Sequence, residues 1–79
     1  MDIRSIITID NEIMSGILVF TGTRVPEGSL FDHLEAGITI EIFLEDFPSV
    51  SRKQVTNILE AANKIFKSQS LDQLYAIVA

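Results

Sequence analysis

Between Ser51 and Lys67 the sequence places Lys53, Asn57, Lys64 and Lys67 at intervals of four, seven and three residues. On a helix turning 100° per residue, those intervals bring all four side chains to one side, with Thr56 and Glu60 beside them. Three lysines and an amide on one helical face are groups that bind phosphate oxygens and base edges. The plainer reading is a solvated helix face on which Glu60 pairs with Lys64 one turn along. Arg24 is a further candidate, for phosphate or a minor groove, although an arginine in a turn can equally pair with a nearby acid and hold the turn together.

Other chemistry is thinly represented. His33 is the single histidine, and its acidic neighbours Asp32 and Glu35 cannot all converge with it on one point from a helix, so no metal site is expected. The chain has no nucleophile elbow, no phosphate-binding loop and no dinucleotide fingerprint. Gly22-Thr23-Arg24 is too short for a phosphate cradle, and a chain of 79 residues has little room for a cleft of ordinary size. Catalysis is not expected, and neither is a cofactor.

The elements that must position these residues are legible as periodicities. Ile6-Ile7-Thr8-Ile9 and Ile17-Leu18-Val19-Phe20 are short β-branched or aromatic runs between turn residues, and they read as two strands able to form a hairpin. Between them Asp10 is placed to cap one helical turn through Glu12, Ile13 and Met14, closed by Gly16 in the left-handed region. A first short helix is expected from a cap at Ser29, through Leu30, Phe31 and Leu34, to Gly37. A second runs from the cap Thr39 with Ile40, Phe43, Leu44 and Phe47 on one side, until Pro48.

Ser51 and Gln54 have the spacing of a capping box and open the longest helix, whose apolar side holds Val55, Ile58, Leu59, Ala62, Ile65 and Phe66. A second box at Ser70 and Gln73 starts a final helix with Leu71, Leu74, Tyr75 and Val78 on one side. The expected fold is mainly α: a short N-terminal β-hairpin or arm over residues 1–26, then a helical region over residues 27–79. That region is a three-helix bundle with a helix-turn-helix and a short C-terminal helix. Only Pro48, Ser49 and Val50 separate the second and third helices, a helix-turn-helix layout without the usual glycine.

The whole-chain numbers bound these readings. Formal charge is −5 and apolar residues make up 47% of the chain, enough for a folded domain. The acids concentrate on the first two helices, at Asp32, Glu35, Glu41, Glu45 and Asp46, so a basic face on the third survives the acidic total. Without cysteine there is no disulfide to support a small core, and a homodimer is the expected remedy. The Ile-rich first strand is one place for it, by pairing with the same strand of a second copy. No apolar run approaches a membrane span and Met1-Asp2-Ile3-Arg4-Ser5 lacks a basic leader, so a cytoplasmic location is expected.

Longer strings add a resemblance. Ile7-Thr8-Ile9-Asp10, Met14-Ser15-Gly16 and Val19-Phe20-Thr21-Gly22-Thr23-Arg24-Val25-Pro26 are similar to the opening of domain-of-unknown-function family 433. Leu34-Glu35-Ala36-Gly37, Phe43-Leu44-Glu45-Asp46-Phe47-Pro48-Ser49-Val50-Ser51 and Gln54-Val55 resemble its helical half, so the likeness runs over residues 6–66. Ile17-Leu18 departs from the lysine or glutamine followed by proline that is usual there. The resemblance implies a bacterial protein with a homeodomain-like helix-turn-helix. It also implies a VapB-type antitoxin that binds its own operator and neutralises a toxin, a PIN-like ribonuclease.

On that reading Ser51, Arg52, Lys53, Thr56 and Asn57 meet DNA, with Arg24 next in order. The competing expectation is a protein-binding adaptor without DNA affinity. It would use the acidic helices, Ile42, which lies opposite the apolar stripe of its helix, and the stripe Leu71, Leu74, Tyr75 and Val78.

Overall fold

The computed structural model describes residues 2–10, 12 and 16–78. A single 3-10 turn at Ile3–Ser5 leads into an antiparallel hairpin of β1 (Ile7–Asp10) and β2 (Ile17–Phe20), in which Ile7 faces Phe20 and Ile9 faces Leu18. Four helices follow: α1 (Gly28–Glu35), α2 (Ile40–Asp46), α3 (Arg52–Ser68) and α4 (Leu71–Val78). The mainly α fold with an N-terminal hairpin is therefore the one observed. The first strand begins one residue later than its hydropathy suggested, because Ile6 turns inward and is fully buried. The Asp10 cap over Glu12, Ile13 and Met14 lies outside the described residues, while Gly16 does hold a positive φ of 89°.

One apolar core joins the hairpin to the first three helices. Ile6 and Phe20 meet Leu30 of α1, Phe43 of α2, Val50 of the turn, and Val55 and Ile58 of α3. Phe20 and Phe43 pack with ring centroids 6.2 Å apart. Burying a side chain of this size contributes about 1.5–3 kcal/mol, so these few residues decide whether so small a chain folds.

Most boundaries follow local chemistry. Thr39 caps α2 by accepting the Ile42 N–H, and Ser51 and Gln54 form the full capping box on α3. Gly37 ends α1 at φ 80°, with the Ile38 N–H reaching back to the His33 carbonyl and the Gly37 N–H to that of Leu34, the paired bonds of a Schellman ending. The Ser29 cap is not formed. The helix already begins at Gly28, because Pro26 sets the chain into a turn in which its carbonyl accepts from the Ser29 N–H and that of Glu27 from the Leu30 N–H. Ser29 is thus an interior residue whose carbonyl bonds the His33 ring at Nδ1, 2.6 Å away.

The apolar stripe of α3 is only half covered. Val55 and Ile58 are buried, whereas Ile65 and Phe66, two turns on, are 56% and 60% exposed. No residue of α4 is buried. α3 outruns the core, so its last two turns and α4 project as an arm.

Candidate functional site

The α2–turn–α3 unit is held without a turn glycine. Phe47 donates to the Phe43 carbonyl, Val50 to the Phe47 carbonyl, and the Val50 side chain enters the core, so packing sets the angle of approach. The start of α3 is fastened at a second point. The Gln54 amide, whose Oε1 accepts from the Ser51 N–H at 3.0 Å, donates through Nε2 to the Thr21 carbonyl at 2.9 Å. That bond ties the loop after β2, which carries Arg24, to the first turn of α3.

Of the expected DNA-contacting residues, Lys53 and Thr56 are exposed and Asn57 is half-buried. The Ser51 hydroxyl accepts from the Gln54 N–H at 3.1 Å. Arg52 is committed elsewhere: its guanidinium meets Glu41 of α2 at 3.3 Å. Glu41 is held below the usual glutamate range, first by its own backbone N–H and then by the Arg52 hydrogen bond. Further along α3, Lys64 pairs with Glu60 at 3.7 Å, as the spacing implied. The outer face of α3 therefore reads cation, hydroxyl, ion pair, cation, from Lys53 through Thr56 and Glu60–Lys64 to Lys67.

Arg24 makes no ion pair with a described residue. Its turn is closed by Thr23, whose hydroxyl donates to the Phe20 carbonyl at 2.8 Å and accepts from the Val25 N–H at 3.0 Å. The reading in which Arg24 holds the turn by pairing with an acid is corrected, since a hydroxyl already supplies that closure.

The expected partner surface is exposed, with one exception. Ile42 stands out from α2, and Leu71, Tyr75 and Val78 from α4, while Leu74 is half-buried. Sequence periodicity placed Ile65 and Phe66 on the apolar side of α3 without showing that they are exposed, and it left out Ile77; all three extend the same arm, and helical spacing alone cannot show where the layer beneath a stripe ends. His33 packs its ring edge against Phe43 and Phe47, with centroids 5.2 and 5.5 Å away, and its Nε2 lies 3.9 Å from Asp46. It joins α1 to α2. Among the described residues no three His, Cys, Asp or Glu side chains could hold a metal ion, and no helix is long and apolar enough to cross a membrane.

No curated protein and no solved structure matches the chain. The model of one family, described as a protein of unknown function (DUF433), matches residues 7–61. The match takes in the hairpin, α1, α2 and the covered part of α3, and it ends before the exposed apolar arm. Spanning well over half of the chain, it shows that this protein belongs to that family.

Proposed function

We propose that this chain is an antitoxin-type regulator: a non-enzymatic protein that binds its own operator through α3 and neutralises a PIN-like ribonuclease toxin through its C-terminal arm. The observation carrying the DNA half is the solvent face of α3, where Lys53, Thr56 and Lys67 stand clear of the core behind a packed α2–turn, with the loop of Arg24 tied alongside. A dimer presenting two such helices suits half-sites about 34 Å apart. For the partner half, the support is the row of exposed apolar side chains on α3 and α4 beyond the family domain.

The test is titration into labelled DNA from upstream of the gene, at physiological salt, against a scrambled duplex. Saturable, sequence-selective binding is expected, and Lys53→Glu should weaken it more than tenfold without unfolding an exposed position. Unchanged affinity in that variant would remove α3 from the role.

A second reading, a protein-binding adaptor without DNA affinity, is favoured by the carboxylates on Arg52 and Lys64, which leave Lys53 and Lys67 as the cations of α3 without an ion pair among the described residues. Under it Lys53→Glu leaves partner binding intact, whereas Tyr75→Asp abolishes it.

A further inference from the structure

Among the described residues the hairpin has one closed edge and one open one. Outside β2, the Phe20 N–H donates to the Val25 carbonyl and the Leu18 carbonyl accepts from the Glu27 N–H, both at 3.0 Å, so the Val25–Glu27 segment occupies that edge. In an antiparallel strand the N–H and C=O of one residue point to the same side, and sides alternate along the chain. Phe20 and Leu18 thus point away from β1. Their register partners Ile7 and Ile9 must point away from β2. Neither Ile7 nor Ile9 has a backbone partner among the described residues on that side.

We infer that β1 pairs with β1 of a second copy, antiparallel about a two-fold axis through Thr8, to make a four-stranded sheet across a homodimer. This register sets Ile7 against Ile9 of the other copy and Ile9 against its Ile7. Both residues turn outward, so each pair exchanges two hydrogen bonds and all four open groups are used. Centring the axis on Ile7 would leave Ile9 opposite Ser5, which sits in the 3-10 turn.

Side chains fit the same arrangement. Ile3, Ile9 and Leu18 are 44%, 58% and 40% exposed, and with Arg4, Ile7 and Thr8 they line an open groove of about 350 Å³ beside the strand. Across the dimer one face would run Leu18, Ile9, Ile7, Phe20, an apolar row that crosses the axis unbroken, while the other sets Thr8 beside its own copy. The register about Thr8 is two-fold symmetric and uses the open backbone groups of both strands alike, which selects a second copy as the occupant.

The experiment uses the full chain without DNA, so its result stands apart from the operator reading. Sedimentation over a concentration series should show a monomer–dimer equilibrium. Thr8→Cys tests the register, because the chain has no cysteine of its own and any disulfide must join two copies at this position. A residue facing itself in a non-hydrogen-bonded pair has Cα atoms about 4.5 Å apart, within disulfide reach.

Air oxidation should link Thr8→Cys chains at least tenfold faster than Ile9→Cys chains, since Ile9 faces Ile7 and not itself. Ile9→Pro deletes one outward donor while keeping the inward bonds of Thr8 and Asp10, so it should weaken association at least tenfold with its helical circular dichroism retained. A chain monomeric at every concentration, equal cross-linking rates, or a dimer undiminished by Ile9→Pro would overturn the proposal.

Discussion

At the scale of single residues, Arg52 shows how a position legible in type can have a partner that its neighbours in sequence do not reveal. Its place at the start of α3 made it an expected DNA contact, and Glu41, eleven residues earlier, takes its guanidinium at 3.3 Å. Nothing local announces this, since the pair forms only once α2 and α3 are set at their angle. The carboxyl of Glu41 is held low by its own N–H and by Arg52, so the favourable contribution is present above the ordinary glutamate value and is lost as pH falls through the lowered one. Arg52→Ala should therefore raise the Glu41 titration midpoint, read by carbon NMR, yet leave it below an ordinary glutamate because the backbone donor remains. A midpoint unmoved by the substitution would assign the whole effect to the backbone. Arg24 went the other way: its type suggested a turn-holding ion pair, and Thr23 had already closed the turn.

At the scale of elements, most of what depends on neighbours within four residues was readable. The caps at Thr39, Ser51 and Ser70, the stop at Gly37 and both strands follow from spacing alone, because the groups that satisfy each other are close in the chain. The start of α1 was misplaced because a serine three residues before an acid imitates a cap, while Pro26 had begun the turn earlier. What no local pattern carries is the bond from Gln54 to Thr21, 33 residues away. It gives the capping box a second duty and makes the two box residues unequal. Ser51→Ala removes one cap, at a cost of about 1 kcal/mol. Gln54→Ala removes both the reciprocal cap bond and the tether to the β2 loop, each worth about 1 kcal/mol, and should cost roughly twice as much. Urea unfolding of the two variants checks the order, and equal losses would mean that the tether contributes nothing to stability.

On the scale of the whole molecule, the electrical polarity anticipated from the sequence is present but thinned by pairing. Acids crowd α1 and α2, and of the cations on α3, Arg52 and Lys64 already have carboxylates. Lys53 and Lys67 remain on that helix, with Arg24 on the tied loop. Three phosphate contacts per protomer release few counterions, so the logarithm of operator affinity should fall with the logarithm of salt at a slope of about −3 for one protomer and −5 for a dimer. Measured by anisotropy between low and physiological salt, a slope near −5 fits two copies using these three cations. No measurable binding at either salt would favour the adaptor reading, in which phosphate plays no part. A much steeper slope would require Arg52 and Lys64 to leave Glu41 and Glu60 on binding, and then Arg52→Ala should flatten it. Because surface ion pairs in water are weak, that exchange is physically open, and the salt slope of the Arg52→Ala variant distinguishes a paired arginine from one that turns to the phosphate backbone.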